Sequence, residues 1–408
     1  MSDKARLNSF YAVKRILQGA YSNLTMPKDL SGIDRAFAEA IIIGTLERKI
    51  TLEYVISKSV QREPAEDVAA LLMTGIYQIL YMDRVPDNAV CNESVTIAKE
   101  LFGAKTAGFV NAVLRNVCRN KSAFIADINN ASADIKYSVN AELYRLIKDQ
   151  YPNDAENIFE AYFNINPTFL RVNTLKSNAA DVAKQTNGTV VNEKCVKTNS
   201  AADAVKLLDT GYFYIQGKAS QIAVETLDAK PNHTVVDVCA CPGGKSLGAA
   251  IDMQNEGKVY SFDLHKSKLS LIEKSASKLD INIIEVAERN AKAPNPEMEG
   301  IADRVICDVP CSGTGVIGTK PEIKYKSPKD FTGLYSTQFE IIKNAAKYLK
   351  KGGIMVYSTC SINKLENENT VNRFLNENSG YSLEYQETFM PFGEACEGFY
   401  IAKIIREK

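Results

Sequence analysis

The chain has 408 residues, enough for two or three domains, and its 49 Lys and Arg residues balance its 49 Asp and Glu residues. The balance excludes nucleic-acid binding through an overall positive charge, so any such contact must use a local basic patch. The sequence has no apolar run of membrane-spanning length and no signal-like segment after Met1, so we expect a cytoplasmic protein.

The first 140 residues are predicted to form a compact, all-helical bundle. Apolar residues recur there at helical spacing, and no strand-like alternation interrupts them. Helices are expected over 35–49, 65–81, 88–102 and 106–119, after a first helix whose apolar face comprises Phe10, Val13, Ile16, Leu17 and Tyr21. The polar stretch 120–140 is interpreted as a linker or as a segment that caps the bundle.

Two stretches of this bundle carry a more specific signal. Residues 86–100 read PDNAVCNESVTIAKE, and residues 108–116 read GFVNAVLRN. They resemble the NusB-like RNA-binding domain, which is also found fused to RNA methyltransferases. Arg115 and Arg119 lie four residues apart and share a helix face. RNA contact and an ordinary solvated face are equally good interpretations of this pair.

A small α+β domain is expected over 141–214. Residues 141–163 are predicted to be helical, and strands are predicted over 169–176, 205–208 and 212–215. Arg171 and Asn173 on the first strand are candidate RNA contacts, with an ordinary place at a sheet edge as an equally good alternative.

Strands and helices alternate from residue 215 to the end of the chain. This rhythm predicts an α/β domain with a Rossmann-like, doubly wound and mainly parallel sheet. The expected strands are 234–238, 258–263, 281–286, 304–308, 354–360 and 398–405, and the expected helices include 221–227, 266–279, 331–349 and 366–375.

A glycine turn follows the first of these strands. It offers backbone that can approach a ligand closely, and a helix N-terminus with free N–H groups. The candidate cofactor-binding residues of the turn are Cys239, Ala240, Cys241, Pro242, Gly243, Gly244 and Lys245. Asp263 ends the next strand, where such sheets place a carboxylate that binds a ribose diol. Capping of the following helix is the alternative for Asp263. Asn290 after the third strand is a candidate purine contact, with Glu288 as its competitor.

Two of the nine cysteines also fall just after predicted strands. Cys311 lies in DVPCSGTG (308–315) and Cys360 lies in STCSI (358–362). Ligands of open α/β sheets bind beyond the carboxyl ends of the strands, so these thiols and the cofactor loop are expected to share one crevice. The other cysteines are expected to be free thiols, and with two histidines and no Cys-x-x-Cys pair we expect no metal site.

The runs DVCACPGGKS (237–246), DVPCSGTGVI (308–317) and STCS (358–361) resemble the signature motifs of the Sun family of RNA 5-methylcytosine methyltransferases. With the NusB-like front end, the best match is the RsmB type, which modifies small-subunit ribosomal RNA. The resemblance implies a class I methyltransferase domain over 215–408, after a NusB-like domain over 1–140 and the small domain over 141–214. It also implies S-adenosylmethionine as cofactor and 16S ribosomal RNA as substrate. We expect a monomer without membrane contact.

Several positions depart from the family pattern. Cys241 stands where alanine is usual, and Gly217 and Asn290 stand where aspartates are usual. Gly318, Thr319 and Lys320 replace a more basic pair. These departures concern adenine recognition and the hold on RNA rather than the reaction.

The expected chemistry starts from the weak nucleophilicity of cytosine carbon 5. A thiolate that adds to carbon 6 turns carbon 5 into an enamine carbon able to attack a sulfonium methyl group. Asp308 is placed to help hold charge at ring nitrogen 3, and it is also a candidate cofactor-binding residue. The residues alone do not rank the two cysteines, whereas the family resemblance implies that Cys360 attacks and Cys311 assists product release.

Substrate alternatives remain open from the sequence. The target base must be unstacked, so single-stranded or looped RNA is expected. A basic run after Cys311 is either a phosphate contact or a solvated loop; it comprises Lys320, Lys324, Lys326 and Lys329. Transfer RNA is an alternative substrate, and a ribosome-assembly protein with vestigial catalysis is an alternative function.

Overall fold

The computed structural model describes residues 3–19, 27 and 29–408, and it divides the chain into two compact units. The first unit holds the described residues up to Leu146 together with Lys320–Ser327. The second unit holds Ile147–Thr319 and Pro328–Lys408. The finer division into three domains, with boundaries after residues 140 and 214, stays a prediction.

The first unit is helical, as predicted. Its helices in the described ranges are α1 (Lys4–Leu17), α2 (Gly32–Glu47), α3 (Lys49–Ser59), α4 (Glu66–Tyr81), α5 (Asp87–Phe102), α6 (Ala104–Arg119), α7 (Lys121–Asn130) and α8 (Ala133–Lys136), and α9 (Ala141–Gln150) begins there. Helix α4 is apolar on almost every side because it packs against α1, α2, α3, α5 and α6. Phe10 and Val13 of α1 are buried in this core, whereas Tyr21 lies outside the described residues.

The stretch 120–140 is part of the bundle. Phe124 and Ile128 of α7 are buried in the apolar core of the bundle, so the interpretation of this stretch as a linker was wrong. Arg115 and Arg119 are both exposed on α6, which leaves both interpretations of that pair open.

The segment Lys320–Ser327 packs within this first unit although it follows Cys311 in sequence. Lys324 is fully buried, and its Nζ donates to the carbonyls of Glu47 and Tyr137, each at 3.2 Å. Burial lowers the pKa of Lys324 to about 7. The prediction that Lys324 belongs to an exposed basic run was therefore wrong, while Lys320, Lys326 and Lys329 are exposed.

The second unit contains a small antiparallel sheet in the order β2–β3–β1–β4. Its strands and the helices near them are α10 (Ala155–Ala161), β1 (Thr168–Val172), α11 (Ala179–Gln185), β2 (Thr189–Asn192), β3 (Cys195–Thr198), α12 (Ala201–Lys206) and β4 (Phe213–Ile215). The strand predicted over 205–208 was wrong, because those residues end α12 and enter a turn. β2 and β3 were not predicted; they are four-residue strands, and Val190 and Val191 of β2 are exposed.

Arg171 on β1 and Asn173 just after it were candidate RNA contacts, and that interpretation was wrong because both side chains are buried. Arg171 is fully buried, and its Nη2 lies 2.9 Å from both carboxylate oxygens of Asp252. Asn173 is buried too, and its side-chain amide donates to the carbonyls of Gly211 and Leu279, each at 2.9 Å. Both side chains therefore anchor the small sheet.

A seven-stranded sheet in the order β10–β11–β9–β8–β5–β6–β7 forms the rest of the second unit. Its elements are α13 (Lys218–Leu227), β5 (Thr234–Asp237), α14 (Gly244–Asp252), β6 (Lys258–Asp263), α15 (Lys266–Lys278), β7 (Ile284–Glu288), β8 (Ala302–Asp308), α16 (Thr332–Lys347), β9 (Leu349–Thr359), α17 (Glu368–Glu377), β10 (Tyr381–Phe389) and β11 (Phe399–Arg406). Strands β5 to β9 are parallel, and β11 and β10 pair antiparallel at one edge. The predicted doubly wound, mainly parallel sheet is confirmed.

Both faces of this sheet are covered. Val235 and Ile306 belong to the apolar core under α13, α14 and α15, whereas their neighbours Val236 and Val305 belong to the core under α16 and α17. Strands buried on both faces read as continuous apolar runs, which is why the sequence revealed them. The chain order reverses between β5 and β8, so a crevice opens there beyond the carboxyl ends of the strands. Among the described helices, none is long and apolar enough to cross a membrane.

Candidate active site

The glycine turn connects β5 to α14. Gly243 has φ +109, a conformation that L side chains rarely adopt, and its N–H donates to the carbonyl of Ala240 at 2.6 Å. The turn borders a cavity of about 160 Å³, which extends to Asp308 at the end of β8. The predicted cofactor residues that line this cavity are Cys239, Ala240, Cys241, Pro242, Gly244, Lys245 and Asp308.

A buried carboxylate supports the turn from below. Asp237 is 1% exposed at the end of β5 and accepts a hydrogen bond from Ser246 Oγ at 2.7 Å. Ser246 in turn lies 2.8 Å from Ser261 Oγ on β6. Burial, with the charge of Asp308 adding to it, raises the pKa of Asp237 to about 7. Asp237 therefore joins β5, α14 and β6; it stands in the quoted motif but was not singled out as a site residue.

Asp263 binds the turn directly. Its Oδ2 accepts from the backbone N–H of Cys241 at 3.1 Å, and its Oδ1 accepts from the N–H of His265 at 3.0 Å. Asn290 and its competitor Glu288 are both exposed and line a second cavity of about 250 Å³ after β7. The structure therefore brings Asp263 to the glycine turn. It gives no reason to prefer Asn290 over Glu288 as the purine contact.

The two cysteines lie side by side. Asp308 at the end of β8 pairs with Ser358 near the end of β9, so the loops that follow the two strands start at the same level. Cys311 Sγ lies 3.0 Å from Cys360 Sγ; neither cysteine is in a disulfide, and both are partly exposed. The hydrogen bond with Cys360, together with burial, raises the pKa of the Cys311 thiol. Either sulfur can donate in this contact, so the contact by itself does not rank the two cysteines.

An ion pair joins the cysteine loops to the glycine turn. Lys245 Nζ lies 2.7 Å from Asp308 Oδ2, and Ser358 Oγ donates to Asp308 Oδ1 at 2.6 Å. Burial works against the charge of Lys245, but Asp308, Asp237 and Cys360 together raise the pKa of its ammonium group. The charge of Lys245 therefore interacts with Cys360, and a nearby cation favours a thiolate.

The remaining thiols near the turn differ in environment. Burial raises the pKa of Cys239 and of Cys307 well above the ordinary value for a thiol, and it raises the pKa of Cys241 to about 11. These three side chains are thus protonated at neutral pH. Within the described residues, no three His, Cys, Asp or Glu side chains are grouped so as to hold a metal ion.

Glu366 is a site residue that the sequence did not reveal. It is fully buried between β9 and α17, and its carboxylate accepts hydrogen bonds from the residues that follow the two cysteines, Ser312 and Ser361. The sequence shows an ordinary Glu near a helix start. Its role becomes visible only in the fold, because the chain turns back after Cys360 and brings the carboxylate next to both cysteine loops.

Glu397, just before β11, is a second unpredicted member of the site. Its Oε1 accepts from the N–H of Ala219 at 3.0 Å at the start of α13. Burial raises the pKa of Glu397. A Cβ on Gly217 would lie 2.3 Å from the same carboxylate, so this Glu occupies the space beside the glycine. The family departure at Gly217 therefore has a physical reason in this chain.

Comparison with known proteins identifies the family. The model of the 16S rRNA methyltransferase RsmB/F family matches residues 224–405, and the NusB family model matches residues 3–119. A probable ribosomal RNA small subunit methyltransferase B of Bacillus subtilis is 34% identical over 385 residues, which cover 89% of this chain and 86% of that relative. The chain belongs to the RsmB/F family of 16S rRNA methyltransferases. Its matched region contains the glycine turn and both cysteine loops.

A further relative agrees with this assignment, and two solved structures share the fold. The ribosomal RNA small subunit methyltransferase B of Serratia proteamaculans is 29% identical, over 97% of each chain. The crystal structure of PH0851 superposes with a TM-score of 0.80 at 23% identity, over 99% of each chain. NSun6 from Pyrococcus horikoshii, solved with the S-adenosylmethionine analogue SFG, has a TM-score of 0.59 at 20% identity, over 66% of this chain and 98% of its own. At such identities the solved structures support the fold alone.

Membership of the RsmB/F family confirms several predictions. The chain is an S-adenosylmethionine-dependent RNA methyltransferase of the Sun family with a NusB-like helical region. The roles of the individual site residues stay predictions.

Proposed function

We propose that this protein transfers a methyl group from S-adenosylmethionine to carbon 5 of a cytosine in 16S ribosomal RNA, through a covalent bond between Cys360 and carbon 6. One observation carries the proposal: Cys311 and Cys360 hold their sulfurs 3.0 Å apart beyond β8 and β9, next to the Lys245–Asp308 ion pair. Two adjoining thiols beside a cation fit a reaction that needs one thiolate and one proton-bearing neighbour.

The glycine turn fits the methyl donor. A cavity already exists between the turn and Asp308, and Gly244 lines it with backbone that carries no Cβ. The residues from Cys239 to Lys245 would hold the donor, with Asp263 near its ribose and Asn290 or Glu288 near its adenine. S-adenosylmethionine supplies the electrophilic methyl group.

The residues of the chain perform the remaining steps. The Cys360 sulfur adds to carbon 6, which breaks the aromatic conjugation and makes carbon 5 nucleophilic. Lys245 and Asp308 form a hydrogen-bonded pair that can supply a proton to ring nitrogen 3 as negative charge develops there. After carbon 5 has taken the methyl group, a base removes its proton and the bond from Cys360 to carbon 6 breaks. Cys311 assists this release, which needs a group beside the departing sulfur.

The substrate assignment rests on the relatives. The B. subtilis and S. proteamaculans proteins are named for methylation of small-subunit ribosomal RNA, and they match this chain over most of its length. The unstacking that the covalent step requires favours a single-stranded or looped cytosine. We expect a monomer to suffice, because both thiols, the ion pair and the turn come from one chain.

The test uses purified protein, labelled S-adenosylmethionine and unmodified 16S ribosomal RNA. We expect Cys360→Ala to lower methyl transfer by at least about 10⁴-fold, as removal of a covalent nucleophile does. Cys311→Ala should instead accumulate a protein–RNA adduct that survives a denaturing gel. Cys118→Ala, which removes a half-buried thiol of the helical unit, is the matched control and should keep wild-type activity.

Bisulfite sequencing of ribosomal and transfer RNA then locates the product. Protection of one 16S cytosine only in the presence of the wild-type gene supports the proposal. Protection confined to transfer RNA would make transfer RNA the substrate. Absence of methyl transfer to any RNA would favour a binding protein with vestigial catalysis. An active Cys360→Ala enzyme would refute the covalent route.

A further inference from the structure

Glu366 forms the centre of a buried hydrogen-bond network beneath the two cysteine loops. Its Oε1 accepts from the backbone N–H of Ser312 at 2.7 Å, and its Oε2 accepts from Ser312 Oγ at 2.5 Å and from Ser361 Oγ at 2.6 Å. Ser312 follows Cys311 directly, and Ser361 follows Cys360. One carboxylate is therefore bonded to the neighbour of each thiol.

The network also reaches the other side of Cys311. Gln338 on α16 donates its side-chain amide to Glu366 Oε1 at 2.9 Å and to the carbonyl of Pro310 at 3.0 Å. Pro310 and Ser312 flank Cys311, so the loop is held before and after the thiol. Because a buried, multiply bonded side chain has few alternative positions, the loop has little freedom to move the sulfur.

The ionised carboxylate fixes the direction of the surrounding hydrogen bonds. A carboxylate can only accept, so the hydroxyl protons of Ser312 and Ser361 both point to Glu366. Ser361 Oγ is then left to accept, from Thr314 Oγ1 at 2.8 Å and from the N–H of Asn363 at 3.0 Å. Thr314 in turn accepts from the N–H of Ile362 at 3.2 Å. The network therefore joins the loop after β8 to the loop after β9.

A close backbone contact reinforces the same junction. Gly315 donates its N–H to the carbonyl of Cys360 at 3.0 Å and accepts from the N–H of Gly398 at 2.7 Å. A Cβ on Gly315 would lie 1.9 Å from the carbonyl oxygen of Gly398, so the two backbones approach as closely as glycine allows. The two loops are thus joined by backbone contacts as well as by the Glu366 network.

The negative charge of Glu366 does more than support the two loops. Charge is expensive to bury, and a neutral amide would place a donating NH2 group where Oε2 now accepts from both hydroxyls. The charge of Glu366 also contributes to the raised pKa of the Cys311 thiol, after the hydrogen bond with Cys360 and burial. A carboxylate at this position therefore affects the pKa of the Cys311 thiol as well as the distance between the two sulfurs.

We infer that Glu366 is a positioning residue that holds Cys311 and Cys360 at the separation at which both sulfurs can serve one cytosine. It acts on the two loops through its hydrogen bonds to Ser312 and Ser361. The role in methyl transfer rests on the proposed function, whereas the effect on the separation of the two thiols does not.

The main test substitution is Glu366→Gln, which keeps the shape of the side chain and removes its charge. The backbone of residue 366 is anchored separately, since Tyr357 donates its hydroxyl to the Glu366 carbonyl at 2.7 Å and the Glu366 N–H donates to Asn363 at 2.9 Å. The change should therefore stay local. Glu368→Gln is the matched control: it makes the same change two residues away, where the carboxylate accepts from Thr388 on β10.

The first readout needs neither RNA nor methyl donor. Diamide takes two electrons and two protons from a dithiol, so it converts adjoining thiols to a disulfide at a rate that depends on their geometry. We expect Glu366→Gln to slow formation of the Cys311–Cys360 disulfide by at least about tenfold, because disulfide geometry is specific. Glu368→Gln should stay within about twofold of wild type. Peptide mass spectrometry identifies the linked pair.

The second readout is steady-state methyl transfer. A displacement of about 1 Å at a reacting group costs on the order of 10²-fold, so Glu366→Gln should lower kcat by about that factor and leave KM for RNA and for donor within about threefold. Ser361→Ala removes one hydrogen bond to Glu366. It should slow disulfide formation and lower kcat, each by a smaller factor than Glu366→Gln. This variant also serves if Glu366→Gln does not fold.

The outcomes separate the two proposals. Slower disulfide formation and lower kcat in Glu366→Gln support the inference. If Glu366→Gln loses thermal stability but keeps the wild-type disulfide rate and kcat, Glu366 is merely structural and the inference is wrong. If the disulfide rate falls while wild-type protein methylates no cytosine, the effect of Glu366 on thiol geometry stands and the proposed function fails.

Discussion

The buried carboxylate beneath the glycine turn makes stability depend on pH in a direction that can be measured. Asp237 is 1% exposed, and its folded-state pKa of about 7 lies above the ordinary value of 3.8. The unfolded chain releases this proton near pH 4, whereas the folded chain keeps it to about pH 7. Between these values the folded state binds one more proton than the unfolded state, so the free energy of unfolding falls as pH rises.

The size of this effect follows from the shift. Each pH unit in the window changes the free energy of unfolding by about 1.4 kcal/mol, and three units give about 4 kcal/mol. Asp237→Asn removes the titration but keeps a hydrogen-bond acceptor for Ser246. We therefore expect the stability of Asp237→Asn relative to wild type to rise by about 4 kcal/mol from pH 4 to pH 7. Costs of the substitution that do not depend on pH cancel from this difference.

The assay is urea unfolding at a series of pH values. The chain has no tryptophan, so unfolding is followed by far-ultraviolet circular dichroism. Asp303→Asn on β8 is the control, because Lys350 helps to lower the pKa of Asp303 and its pH dependence should lie below pH 4. Equal slopes for wild type and Asp237→Asn between pH 4 and 7 would refute the reasoning.

Further substitutions test the ion pair, the turn and the glycine contact. Lys245→Met leaves Asp308 without its cation and should lower kcat by about 10²-fold or more in the methyl-transfer assay, whereas an unchanged rate would exclude the ion pair from the reaction. Gly243→Ala forces an L residue into φ +109 and should weaken S-adenosylmethionine binding by at least about tenfold in calorimetry, with cooperative unfolding retained. Gly217→Ala drives a Cβ to 2.3 Å from the Glu397 carboxylate and should cost about 1–3 kcal/mol in urea unfolding. The double variant with Glu397→Ala should recover part of that loss if the clash is its cause.

The sequence predicted the sheet well for a physical reason. Val235, Val236, Val305 and Ile306 are buried on both faces of parallel strands, so their stretches stand out as short apolar runs between turns. The positions of Cys311 and Cys360 after two such strands were enough to predict a shared crevice. Strand β10 was missed because it is a largely exposed edge strand whose residues, such as Glu384 and Gln386, are polar.

The partners of individual side chains were harder to predict than the helices and strands. Arg171 and Lys324 were considered as candidate RNA contacts because charged residues usually lie at the surface. Each is instead buried with a partner distant in sequence, Asp252 for Arg171 and the carbonyl of Glu47 for Lys324. Glu366 was overlooked for the same reason. Long-range pairing of this kind leaves no local pattern in a single sequence, so it becomes visible only once the chain has folded.

The most direct measurement of the central claim is the site of covalent attachment. Cys311→Ala protein is incubated with S-adenosylmethionine and 16S ribosomal RNA that contains 5-fluorocytidine, whose fluorine cannot leave as a proton does and therefore traps the adduct. The complex is digested with nuclease and protease, and the peptides are mapped by mass spectrometry. A methylated fluorocytidine nucleotide on Cys360 is the predicted result. The same mass on another residue, or an intact Cys360 thiol in protein that has methylated its RNA, would contradict the account.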